Sequence, residues 1–371
     1  MIKQMKIPFF DYPRLFLDKK DEYMNIFSEV ASRGAFIMQS DVDIFEKKLS
    51  MFSSSKYAIG VGNATDGLEI SWMALNLRQG DEVICCSHTM LATASAIKVA
   101  GGIPIPVEIG YDNLIDPDAI ENAITSRTVG IMPTQLNGRT CDMQRIMQIA
   151  NKYKLYVVED AAQALGSKFK GKNAGTFGHA SAISFFPAKV LGCFGDAGAI
   201  LCQDDTIFDR AYQLHDHGRD KNGDVKSWGR NSRLDNLQAA ILNFNLKSYE
   251  KVIQRRREIA SKYFSRLSIL EELKLPESPV NNSDHYDVFQ NYEIVAKRRD
   301  ELQKYLRECG VGTLVQWGGK AIHQWEHLGF NLHLPKSEIF FKECIMIPMN
   351  MFISNKDIDY ICQKIIEFYR K

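Results

Sequence analysis

From residue 57 to residue 203 the chain repeats one unit: a short apolar run, then a segment with helical periodicity. The runs are YAIGVG (57–62), DEVICCS (81–87), IPIPVEI (103–109), TVGIMPTQL (128–136), LYVVED (155–160), SAISFF (181–186) and AGAILCQ (197–203). Helical segments such as NATDGLEISWMALNL, TMLATASAIKVAG and CDMQRIMQIANKYK alternate with them. Strands that are apolar on both sides must be covered on both sides, and intervening helices act as crossovers. The pattern therefore predicts an α/β fold: a large domain with a parallel or mostly parallel sheet of seven-stranded type between helices.

An amphipathic helix over 38–53 precedes the first strand, with Ser40 or Asp41 as its cap. The rhythm stops near residue 235. A long helical stretch, roughly 234–267, follows, and then strand-like pieces (NYEIVA, CIMIPM) with two further helices. A boundary within that stretch divides the chain into 1–245, a large domain with the N-terminal segment, and 246–371, a smaller C-terminal α+β domain.

The 371 residues carry a formal charge of +1, which gives no electrostatic case for nucleic acid or an anionic membrane as partner. The basic cluster QRRRE (254–258) reads as one face of a solvated helix. The first residues contain early acids and no apolar core of signal-peptide type, and no run approaches the roughly 20 apolar residues that span a bilayer. These observations predict a cytoplasmic protein. Eight cysteines without a C-x-x-C pair read as free thiols in a reducing compartment. His323 and His327 have a metal-binding helical spacing but no third ligand nearby, so no metal is expected.

The stretch GVGNATDG (60–67) follows a strand and opens a helix, yet it is not G-x-G-x-x-G, and no P-loop element occurs. It suits a smaller phosphate, because free N–H groups, a hydroxyl and the positive end of a helix dipole meet there. A capped turn without a ligand fits the same residues. Three further elements lie near the C-terminal ends of predicted strands, where open α/β sheets place ligands: EDAAQALGS (159–167), Ser184 and Lys189. Lys189 is the lone charge in SAISFFPAKVLGCF. Singly, each has a structural explanation: a helix cap for Asp160, a surface amide for Gln163, a core hydroxyl for Ser184, a loop charge for Lys189.

Together they match the needs of pyridoxal phosphate. That cofactor requires a lysine amine for its Schiff base. A carboxylate must keep the pyridine nitrogen protonated, the ring hydroxyl needs a hydrogen-bond partner, and the phosphate needs hydroxyls at a helix N-terminus. Lys189, Asp160, Gln163 and the pair Thr65 and Ser184 supply these in turn. Apolar surroundings also depress an amine's pKa, which suits a nucleophile and proton shuttle.

The segments VEDAAQALGS, SFFPAKVLGCFGDAGAI, HGR (217–219) and GRNSRLDNLQAAIL (229–242) resemble successive signatures of the DegT-type sugar-nucleotide aminotransferases. With IGVGNATDGLEI and GDEVICCSHTMLATASAI, the resemblance runs from about residue 30 to 245 and continues more weakly to the C-terminus. It implies a fold type I pyridoxal-phosphate enzyme. By the same resemblance Lys189 is the catalytic lysine, Asp160 the pyridinium partner and Gln163 the neighbour of the ring hydroxyl. Ala64, Thr65 and Ser184 match phosphate-binding positions. Asn231 matches an asparagine that reaches the phosphate in the neighbouring subunit, so a homodimer with shared active sites is implied, its small domain closing over the substrate.

Two departures stand out. Many members of the family carry an aromatic residue at the position of Met90, where it stacks on the ring; here Met90 takes that place, with His88 as a second candidate. The family's usual H-L-Y-G is QLNG (135–138) in this chain. The resemblance implies transamination from an amino-acid donor, glutamate, to the keto group of a nucleotide-linked sugar. Cations for the donor carboxylate and the diphosphate are sought in Arg219, Arg230 and Lys320, with Arg233 in the same segment. Competing readings are a different keto-ring acceptor, a dehydratase, in which histidine replaces the lysine, and a non-catalytic regulator on the same fold.

Overall fold

The computed structural model describes residues 6–280 and 284–370. Its main sheet has seven strands: β1 Tyr57–Val61, β2 Glu82–Cys86, β3 Ile103–Val107, β4 Thr128–Met132, β5 Tyr156–Asp160, β6 Ala180–Ser184 and β7 Gly198–Cys202. They lie in the order β1-β7-β6-β5-β4-β2-β3. The expected mostly parallel sheet is present. The exception is β7, which pairs antiparallel with both β1 and β6. The loop between β6 and β7 carries Lys189, so the lysine follows the C-terminal end of β6, on the side of the sheet where its parallel neighbour β5 ends in Asp160.

Every residue of β2 and β7 is buried, which explains their unbroken apolar runs. Helices cover both faces. On one, Leu68, Ile70 and Trp72 of the helix Ala64–Ala74 pack with Val83, Val158 and Ile200. On the other, Phe45 and Leu49 of the helix Ser40–Ser53 pack with Ile183, Leu201 and Leu242. Truncating a buried side chain as large as Trp72 costs about 3–5 kcal/mol.

Several expectations are corrected. Ser40 begins the helix Ser40–Ser53 rather than capping it, and the preceding Gln39 makes no side-chain cap. Asp41 instead accepts hydrogen bonds from Arg33 and Asn236 at 2.8 Å each. The stretch 234–267 is two helices, Asn236–Leu246 and Tyr249–Leu267. The second spans two cores. Its Tyr249 and Ile253 join Phe45 and Leu165, whereas Ile259, Tyr263 and Leu267 join Tyr292, Ile347 and Ile361. QRRRE is not wholly solvated: Arg256 is buried, because two carbonyls, those of Phe289 and Gln290, accept its Nη1–H at 3.0 Å each.

The C-terminal half builds a three-stranded antiparallel sheet from Leu273–Lys274, Tyr292–Ala296 and Cys344–Ile347. Ile7 packs with this C-terminal half and forms an isolated parallel bridge to Val311. Ile7 is buried in that core, its N–H donating to Gly310 O at 3.0 Å and its carbonyl accepting from Gly312 N at 2.8 Å. The bounds 1–5 and 371 of the two units lie outside the described residues. Among the described residues, no helix is long and apolar enough to cross a membrane.

Candidate active site

Asp160, the last residue of β5, is buried. Its Oδ2 accepts from Thr93 Oγ1 at 2.6 Å, and its Oδ1 from the Ala162 N–H at 3.2 Å. Thr93 is itself held in a chain of hydroxyls, 2.6 Å from Thr89 Oγ1, which lies 2.9 Å from Thr134 Oγ1. Burial raises the Asp160 pKa above the ordinary carboxylate value, while Thr93, Ala162 and the Lys189 charge pull it back. A pyridinium against this carboxylate acts in the same direction as those three.

Lys189 is half-buried, and the loss of water lowers its pKa to about 8, with Asp160 opposing the shift. In the cofactor-free protein this has a signed consequence. The folded chain releases the Lys189 proton near pH 8 and the unfolded chain near 10.5, so folding stability rises with pH across that window. Replacing Lys189 by methionine removes the cost of burying the charge. Denaturant titration of cofactor-free Lys189→Met at pH 7 is expected to show a gain on the order of 2 kcal/mol, discounted for residual solvent, that shrinks towards pH 10.5. A gain independent of pH contradicts the assignment.

Gln163, Ser184 and Lys189 line one small cavity, together with Tyr249 and Gln290. Gln163 Oε1 accepts from the Asn137 N–H at 2.8 Å, which commits the oxygen end and leaves the NH2 end as the donor. A ring phenolate oxygen needs a donor of this kind. Asn137 sits at φ 55° in the QLNG segment, its side chain bonded to Asn291, Gln316 and Glu293 at 2.8, 3.1 and 2.7 Å.

Ala64 and Thr65 form the first turn of the helix Ala64–Ala74, capped by Asn63 Oδ1, which accepts from Asp66 N at 2.9 Å. The helix start is pressed against β7. A Cβ on Gly198 would lie 2.5 Å from Asn63 C and 2.6 Å from Ala64 N, so only glycine permits this approach. Gly198→Ala is expected to displace the turn, lowering cofactor affinity about tenfold and stability by about 1–3 kcal/mol. Calorimetric titration and thermal melts check both; unchanged affinity would remove the turn from the phosphate site.

Met90 precedes the helix Leu91–Val99 with its side chain 52% exposed, as a residue offering a face to a flat ligand must be. His88 is not in that position. It is 1% exposed, enclosed by Phe340, Phe341 and Trp317, with Nδ1 2.8 Å from Asn113 O and Nε2 3.4 Å from Glu293. No face is left for a ring, and the stacking alternative at His88 falls.

Asn231 is exposed and lies apart, its backbone bridged to Asp216. Arg219 and Arg233 pair with Asp216 at 3.7 and 3.2 Å. Arg230 pairs with Glu69 and, at 3.8 Å, with Asp66, so its charge braces the 229–233 segment on the helix Ala64–Ala74. Lys320 is exposed, its Nζ 5.1 Å from the Trp325 ring centroid, and lines none of the cavities that Lys189 lines. Among the described residues, no group of three or more His, Cys, Asp or Glu side chains is placed to hold a metal.

An amine of lowered pKa, a buried carboxylate whose charge acts on it, an oriented amide and a helix start are the kinds of group that pyridoxal phosphate requires. The model of the DegT/DnrJ/EryC1/StrS aminotransferase family matches residues 17–366, and the chain belongs to that family. It is 36% identical over 372 aligned residues to a pleiotropic regulatory protein of Geobacillus stearothermophilus, covering 99% of each chain. It is 36% identical to the dTDP-3-amino-3,6-dideoxy-alpha-D-galactopyranose transaminase of Aneurinibacillus thermoaerophilus, covering 97% of this chain and 98% of that one. The structure of Streptomyces venezuelae DesV in complex with a ketimine intermediate superposes with a TM-score of 0.94 at 30% identity, covering 100% of both chains. The cofactor is pyridoxal phosphate and the protein is an aminotransferase.

Proposed function

We propose that this protein moves the amino group of glutamate to the keto group of a nucleotide-linked sugar, in the cytoplasm, as a homodimer. The placement of Lys189 on the loop that follows β6, beside the end of the parallel neighbour β5 where Asp160 is buried, is the observation that carries the reading. Bound pyridoxal phosphate supplies an electron sink for the donor's α-carbon. Asp160 holds the ring nitrogen protonated, and Gln163 donates to the ring oxygen. With the cofactor bound, Lys189 Nζ would take the proton from the donor's α-carbon and hold it for return, and would serve in the opposite sense for the sugar. An amine with a pKa about 8 is partly neutral at physiological pH, as this shuttle requires. Ala64, Thr65 and Ser184 take the phosphate, and Met90 packs on the ring. Asn231 and the exposed Arg219 serve the neighbouring subunit's site, while residues 246–371 close over the substrate. Arg230 acts by bracing its segment.

The transaminase relative and the DesV fold support this reading. A regulatory role is suggested by the name of the Geobacillus relative, whereas the intact Lys189, Asp160 and Gln163 support catalysis. Loaded protein is to be assayed with glutamate and a panel of nucleotide-linked keto sugars alongside free keto cyclitols. Formation of 2-oxoglutarate and an amino sugar, located by NMR, is expected with a nucleotide-linked member. Turnover of the cyclitols alone would overturn the substrate class.

A further inference from the structure

Lys189 sits on a loop, and a loop places a side chain reproducibly only when its backbone is held. The loop's own turn supplies one bond, Lys189 N–H to Phe186 O at 2.8 Å. The residues on either side of Lys189 are held by a single side chain from the C-terminal half. Gln290 Nε2 donates to Ala188 O at 2.8 Å, and Gln290 Oε1 accepts from Val190 N at 2.9 Å. Among the described residues no other side chain hydrogen-bonds the backbone of residues 187–191.

Gln290 is itself fixed. It is 6% exposed, and its carbonyl and that of Phe289 accept from buried Arg256. Its backbone also lies against Gly138, whose φ is +86° and where a Cβ would be 2.6 Å from Gln290 N. The next residue, Asn291, holds Asn137, whose N–H orients Gln163. One short segment thus grips the lysine loop with one residue and the Gln163 support with the next.

We infer that Gln290 is a positioning residue for Lys189, bracketing its peptide so that the amine meets the cofactor, and that it ties the C-terminal half to the cofactor site. This rests on the reading of Lys189 as the cofactor's anchor. The test compares full-length wild type with Gln290→Ala and Gln290→Glu. Pyridoxal phosphate affinity is read by equilibrium dialysis, the pH midpoint of the visible cofactor band by titration, and loop mobility by hydrogen exchange of peptides covering 186–192.

Gln290→Ala is expected to bind the cofactor about tenfold more weakly, to shift the pH midpoint, and to exchange faster in that loop. Gln290→Glu keeps an acceptor for Val190 N but faces the Ala188 carbonyl with a second acceptor. A shift of the same sign is expected from it, and it carries the test if the alanine variant does not fold. Wild-type affinity and wild-type pH midpoint in the folded variants overturn the inference, even if melting temperatures fall. A wild type that takes up no cofactor, or loads it on another lysine, fails the underlying site reading instead.

Discussion

Lys189→Ala is expected to abolish the visible cofactor band and to reduce turnover by on the order of 10⁴-fold or more, because one group provides both the covalent anchor and the proton shuttle. The surroundings explain why no neighbour substitutes. Among the described residues, the other side chains lining the cavity shared with Gln163 and Ser184 include no second amine. The fold should survive, since the substitution removes a half-buried charge whose protonation the loss of water already disfavours. A variant with normal melting behaviour, no visible band and no turnover is the expected outcome, checked by absorbance and a coupled assay. Retained turnover would remove Lys189 from the chemistry.

The second large effect is expected at Asp160. Asp160→Asn keeps the size and keeps an oxygen to accept hydrogen bonds from Thr93 or Ala162, but removes the negative charge that holds the ring nitrogen protonated. Turnover should fall by about 10²–10⁴-fold. Cofactor binding should fall far less, because the amine and the helix start are untouched. The discriminating measurement is kcat set beside cofactor affinity: loss of both in equal measure would mean that Asp160 only builds the pocket. Thr93→Val, which deletes the hydroxyl donor to Asp160, provides a graded companion to this comparison.

Much of this arrangement is legible in the chain because buried strands and helix starts leave local marks. The seven apolar runs fall where the strands are, and EDAAQALGS and the lone lysine fall at their ends. The reversal of β7 left no mark, since its five residues are all buried and read like a parallel strand. The helix break at 247–248 contains neither glycine nor proline, and the residues on both sides of it pack in the same core. His88 and Met90 stand two residues apart in the sequence, yet one is enclosed by aromatic rings and the other faces outward, a distinction only the fold makes.

The supports of the site were the least visible. Thr93 lies on the helix Leu91–Val99 with nothing in its spacing to mark it, and Gln290 lies about a hundred residues from the loop it holds. The pairing of Ile7 with residues 310–312 is likewise a contact between residues far apart in the sequence. Such contacts carry no periodicity or spacing, so an unaligned sequence has nothing from which to read them. The QLNG departure is the nearest to a signal: it marks the segment whose Asn137 orients Gln163 and whose Gly138 admits Gln290.

The central claim is that Lys189 carries the cofactor. Its most direct test is to load the purified protein with pyridoxal phosphate, fix the bond with borohydride, digest, and locate the added mass by tandem mass spectrometry. The account predicts the modification on Lys189, in the peptide containing SFFPAKVLG. A stoichiometric modification on any other lysine, or none at all, would contradict it.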